Sequence, residues 1–201
     1  MRIGDQRPAF DGATDWLNEL EQTADEYVNG QPTLVYFWAT SCGICKDNMP
    51  KLQALKAKYK DAGLRSVAIH MPRYEADTNI ETVKETIAAH CIDDVCAVDN
   101  EHKLKDAFLN EQGWVPVYYL FDAEGKLKSR AAGEFGIGVL TGALEKMFPE
   151  AQAAGNELVI QCQIWHWTKS AACLSEPRRG SGRLRRSKPP TAGAACRSGQ
   201  K

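Results

Sequence analysis

No window of this sequence approaches the roughly 18 consecutive apolar residues that a transmembrane helix requires, so neither a helical membrane protein nor a membrane partner is expected. The start, Met1-Arg2-Ile3-Gly4-Asp5-Gln6-Arg7-Pro8, reaches acidic and turn residues at once and lacks the apolar stretch of a secretory signal. A cytoplasmic location is the expectation. The glycine-rich dinucleotide fingerprint is also missing, so electrons for a redox step have to come from a partner, and no bound cofactor is expected. There is no internal repeat. Histidine is scarce, with four residues, and His70, His90 and His102 stand at no ligand spacing from the cysteines, so no metal is expected and they read as surface or cap residues.

What is present is ordinary globular material: 201 residues, 43% hydrophobic and 25% charged, enough for one domain with a buried core plus an appendage. The net charge of −1 conceals an asymmetry, because residues 1–150 carry 24 acidic against 16 basic side chains and residues 151–201 carry 2 against 9. The second segment contains Arg178-Arg179, Arg185-Arg186 and Pro189-Pro190 among Gly and Ser, and reads as a basic, disordered C-terminal tail. Its basic stretch has no fold or aromatic platform with which to read nucleic acid, so no nucleic-acid partner is expected. Cys162, His166, Cys173 and Cys196 match no zinc spacing. The abrupt change of composition also suits a frame-shifted or appended end.

Within 1–150 the hydrophobic pattern alternates between strand and helix. Leu34–Trp38 is a short apolar, β-branched run, hence a buried strand, and from Ile44 the spacing Met49, Leu52, Leu55, Tyr59 predicts a helix closed by Asp61-Ala62-Gly63. Val67–Ile69 and Cys96–Val98 predict further strands. Thr78-Asn79-Ile80-Glu81 reads as a capping box opening a helix, and Leu104, Phe108 and Leu109 mark another. Val117–Phe121 is a strong strand, Asp122–Gly125 its turn and Leu127–Ala131 its antiparallel return, followed by a helix through Leu140, Leu144, Met147 and Phe148. Thr14, Trp16, Leu17 and Leu20 predict a lead-in helix. The alternation argues an α/β sandwich with a parallel core and an antiparallel edge.

The chemistry is concentrated in Trp38-Ala39-Thr40-Ser41-Cys42-Gly43-Ile44-Cys45-Lys46. A C-x-x-C pair can bind zinc, but here it stands where a strand hands over to a helix. Free N–H groups and the helix dipole at that point favour an anion, so Cys42 is expected to attack as a thiolate and Cys45, one turn further in, to resolve the mixed disulfide. Cys91 and Cys96 are expected to serve packing.

On these residues the sequence resembles the thioredoxin superfamily, and within it the TlpA/ResA-like thiol–disulfide oxidoreductases, over residues 1–150. The resemblance includes Pro50 five positions after Cys45, Val115-Pro116 ahead of a strand, and Gly133 after the hairpin. It implies a thioredoxin-like fold, a central mixed sheet flanked by helices, with a TlpA-like insertion between the active-site half and the cis-proline half. It further implies substrate contact at Trp38, Val115 and Pro116, with Pro116 facing the dithiol in the cis form. Where thioredoxins place a buried acid two residues before the Trp, this chain has Tyr36, and Glu75 is the acid expected to take the Cys45 proton. The activity implied is reduction or exchange of disulfides in protein substrates by a monomer, re-reduced by thioredoxin reductase or another dithiol protein. The alternatives are a thiol peroxidase with Cys42 as peroxidatic cysteine, although no Pro-x-x-x-Thr-x-x-Cys precedes Cys42, and a non-enzymatic metal- or protein-binding module.

Overall fold

A computed structural model describes residues 1–150, so the tail expected over 151–201 lies outside the described residues. The central strand is β2 (Thr33–Trp38), buried along its whole length, as a strand covered on both faces by helices must be. It pairs in parallel with β3 (Arg65–His70), which pairs in parallel with β4 (Val95–Val98). On the other side β2 is antiparallel to β5 (Val117–Phe121), and β5 to β6 (Leu127–Ala132). The short β1 (Asp15–Leu17) closes the far edge antiparallel to β4, giving the order β1-β4-β3-β2-β5-β6.

Alternation along β2 divides the core into two layers. Leu34, Tyr36 and Trp38 face α2 (Gly43–Lys60), α3 (Ile80–Ala89) and α5 (Gly136–Met147), and pack with Leu52, Tyr59, Val83, Ile87, Leu140 and Leu144. Val35 and Phe37 face the opposite side, where α1 (Ala24–Val28) and α4 (Lys103–Ala107) supply Ala24, Val28 and Leu104 beside Phe108. Phe108 stacks on Phe10 and meets Phe37, Tyr119 and Phe121, an aromatic centre for that layer.

The structure corrects the sequence reading at three elements. Antiparallel strands flank the parallel core on both sides, not at one edge. The lead-in segment is the strand β1, which Thr14 fastens by donating its hydroxyl to the Val98 carbonyl at 2.9 Å, and the helix begins later, behind a Thr23–Glu26 capping box. The cap of α3 is Asn79, whose side chain accepts from the Glu81 and Thr82 N–H groups, while Thr78 donates to the Glu75 carbonyl. Among the described residues no helix is long and apolar enough to cross a membrane.

Candidate active site

The dithiol lies where β2 ends. Ala39, Thr40 and Ser41 turn the chain, and Cys42 is the N-cap of α2, in extended backbone with φ −91° and ψ 102°. Its Sγ accepts from the Cys45 N–H at 3.1 Å, as an N-cap side chain should, so the first turn of an 18-residue helix directs its free N–H groups and the positive end of its dipole at this sulfur. Cys42 and Cys45 are joined in a disulfide with Cα atoms 5.3 Å apart. Both are well covered, at 3% and 2% exposure, while Gly43 and Ile44 between them face solvent. Inside α2, Pro50 donates no N–H and so leaves the Lys46 carbonyl without its helical partner.

Opposite Cys42 is the turn into β5. The Val115-Pro116 bond is cis, and the Val115 carbonyl oxygen lies 3.6 Å from Cys42 Sγ. The Gly133 N–H donates to the Pro116 carbonyl at 2.9 Å with φ at +74°, a conformation that glycine adopts without steric penalty, and so fixes this edge from behind. Asn110, fully buried, clamps the preceding loop by accepting from the Trp114 N–H at 3.2 Å and donating to the Trp114 carbonyl at 2.9 Å. Together these segments bound a cleft of about 850 Å³, with Cys42 and Ile44 on one side, Val115 and Pro116 across it, and Arg73, Tyr74 and Trp114 at the rim. Tyr74 and Trp114 are 60% and 51% exposed, two aromatic side chains open to solvent at the mouth of the cleft.

Four of the six residues singled out in the sequence converge here: Cys42, Cys45, Val115 and Pro116. Trp38 and Glu75 do not. The alternation of β2 turns Trp38 into the helix-covered layer, where it is buried against His70 and is not part of the cleft wall, so it supports the dithiol layer from within and offers no surface to substrate. Glu75 begins an exposed 3-10 turn, Glu75–Thr78, and is not part of the cleft wall either.

The acid that reaches the active-site loop is Asp77, at the inner side of the same turn and 4% exposed. It accepts from the Thr40 hydroxyl at 2.6 Å, the Ser41 hydroxyl at 2.7 Å, the Arg73 N–H at 2.9 Å and the Tyr74 N–H at 3.4 Å. Burial works against its charge, but the bonds from Thr40, Ser41, Arg73 and Tyr74 outweigh it and hold the carboxyl below its usual range. Glu75 and Asp77 differ only in which side of one short turn they occupy. The hydroxyls of Thr40-Ser41 beside the C-x-x-C were the available sign of a nearby acceptor.

His70 also departs from expectation: it is fully buried, edge-on to Trp38, and neither ring nitrogen has a protein partner. Burial lowers its pKa to about 4 against a partial opposing pull from Asp77. His90 and His102 do stand at caps, of α3 and α4. Cys96 is buried, its thiol pushed up to about 12 by burial, whereas Cys91 is exposed.

A parallel-centred sheet with a C-x-x-C disulfide at the start of its long helix and a cis-proline across from it defines a thioredoxin-fold dithiol protein. The profile of the AhpC/TSA family matches residues 3–130, and the chain belongs to that family. It is 39% identical over 152 residues to the thiol-disulfide oxidoreductase YkuV of Bacillus subtilis, covering 76% of this chain and all of that protein. It is 28% identical over 149 residues to the thiol-disulfide oxidoreductase ResA of Bacillus cereus, covering 74% and 80%. Among solved structures, that of a thioredoxin-like protein in the oxidized form superposes with a TM-score of 0.63 at 40% identity, covering 77% of this chain and 99% of that one.

Proposed function

We propose that the protein is a thiol–disulfide oxidoreductase in which Cys42 is the attacking and Cys45 the resolving thiol. The observation that carries this is the placement of Cys42, which caps α2, borders the cleft and lies 3.6 Å from the Val115 carbonyl, whereas Cys45 sits behind it, away from the cleft wall. In the reduced enzyme the Cys42 thiolate attacks one sulfur of a substrate disulfide. A mixed disulfide forms and the departing sulfur takes up a proton. Cys45 then gives up its proton to solvent and attacks Cys42 Sγ, which closes the Cys42–Cys45 bond and expels the second substrate sulfur as a thiolate that takes up a proton from solvent. Two electrons have passed to the substrate.

Val115 and Pro116 present backbone to an extended segment of a disulfide-bearing protein. A second dithiol, on thioredoxin reductase or another dithiol protein, restores the reduced enzyme, which gives the protein a place in cell redox homeostasis. The reading includes a cytoplasmic location and a monomeric state, checked by cell fractionation and by sedimentation. The proton of Cys45 is not given to Glu75, whose exposed position supports no such role.

The test is dithiothreitol-driven reduction of insulin disulfides by the parent and by Cys42→Ser. Catalysis by the parent and its loss in Cys42→Ser are expected. Hydroperoxide turnover much faster than disulfide reduction, or stoichiometric zinc in the purified parent, would overturn the reading in favour of a thiol peroxidase or a metal-binding module.

A further inference from the structure

The cleft has two walls that belong to different parts of the chain. One is Cys42 with Gly43 and Ile44; the other is the segment after β3 that ends in Arg73 and Tyr74. A single buried carboxylate ties the two together, since Asp77 accepts two hydroxyl bonds from Thr40 and Ser41, the residues leading into Cys42, and two backbone N–H bonds from Arg73 and Tyr74. We infer that Asp77 is a positioning residue for disulfide exchange, locking the loop that carries the nucleophile to the Arg73–Tyr74 wall so that Cys42 is held in register with the docking edge at Val115-Pro116.

The inference rests on the dithiol-exchange reading above. Its physical basis is that such a reaction needs sulfur, incoming sulfur and leaving sulfur in line, so a shift of about 1 Å in the nucleophile can cost up to about a hundredfold in rate. Thr40 and Ser41 are the two residues immediately before Cys42, and both spend their hydroxyls on Asp77. The carboxylate is charged at neutral pH, and His70, the titratable group that faces it from β3, is neutral there and does not offset it. The negative charge therefore acts on the adjoining loop and disfavours the Cys42 thiolate. Asp77 thus improves alignment while slightly restraining ionisation, two effects that a variant can separate.

In Asp77→Asn the shape is kept, the charge is removed, and an amide N–H₂ is set against the backbone N–H groups of Arg73 and Tyr74. Disulfide reduction, measured as kcat/KM on insulin with folded protein well below its melting temperature, is expected to fall about tenfold. The pH profile of Cys42 alkylation by iodoacetamide is expected to move to lower pH, because the thiolate has lost a like charge. The other titratable or charged groups about Cys42, namely Arg73, Tyr74, His102, Lys105 and Glu111 at the cleft and Lys46 on α2, are unchanged between the proteins.

The combination of a more readily ionised thiol and a poorer catalyst is one that simple loss of stability does not give. The pair Thr40→Val/Ser41→Ala cuts the same bonds from the loop side and keeps the charge, so it should lose activity without the downward shift. It serves as the test should Asp77→Asn fail to fold. An Asp77→Asn protein with parent kcat/KM, or with an unmoved alkylation profile, would overturn the inference while leaving Cys42-dependent catalysis in the parent intact. Absence of that catalysis in the parent would instead refute the underlying reading.

Discussion

The ring of His70 meets the indole of Trp38 edge-on with centroids 4.9 Å apart, at paired positions of β3 and β2. The imidazole is fully buried and its pKa is lowered to about 4, by burial first, with Asp77 pulling partly the other way. Well above pH 6.5 the residue is neutral in folded and unfolded chains alike and contributes no pH dependence. As the pH falls from 6.5 towards about 4 the unfolded chain takes up this proton and the folded one does not, so stability declines through that window, by about 3 kcal/mol in all. Urea unfolding across this range should show the decline, and His70→Phe, which keeps the contact with Trp38, should remove that part of it.

A second buried cluster lies towards the other end of α2, about 16 Å along the helix from Cys45 at about 1.5 Å per residue. Asp94 accepts from the Tyr36 phenol at 2.5 Å and from Ser66, and pairs with Lys56, whose side chain is almost as well covered. Burial, and next the Asp94 charge, keep the Tyr36 phenol protonated well above its usual range. Lys56→Met leaves Asp94 buried without its counter-charge and should cost about 3–5 kcal/mol in chemical unfolding. Lys56→Met/Asp94→Leu should recover a good part of that. Disulfide reduction by the folded Lys56→Met protein should match the parent, because the cluster does not reach the dithiol.

Cys45→Ser should accumulate a mixed disulfide between Cys42 and its substrate, since the resolving thiol is gone. Non-reducing gels of cells expressing the variant should show adducts that vanish with dithiothreitol and do not form when Cys42 is also replaced.

The aromatic rim of the cleft should act on substrate docking. Trp114→Ala and Tyr74→Ala are each expected to raise KM for insulin about fivefold, the size of an interface contact worth about 1 kcal/mol, with kcat retained. The Cys42 alkylation profile should be that of the parent. An unchanged KM in both variants would remove these side chains from the docking surface.

The strand–helix alternation and the dithiol could be read from the sequence because each is local: Leu34–Trp38 is apolar without interruption, and Cys42 and Cys45 are separated by one helical turn. The β1 segment misled, because Trp16, Leu17 and Leu20 satisfy a helical spacing while the edge of β4, which captures Asp15–Leu17, is invisible in one dimension. Asp77 went unremarked beside Glu75 for a related reason. Both acids lie in one polar stretch, and only the three-dimensional course of a four-residue turn decides which faces Thr40 and Ser41. His70 is a polar residue at the end of an apolar run, and nothing in its neighbours signals that the ring goes inside without a partner.

The two outer strands have a consequence for the company the protein keeps with itself. β1 is only three residues long, so it offers almost no length on which another copy's strand could zip. At the opposite margin β6 carries the exposed Lys128 and Arg130, and a second β6 brought alongside would set cation against cation. Neither margin invites runaway sheet growth. A molecule proposed to handle other chains in extended form is thereby shielded from the cross-β aggregation that such clients risk.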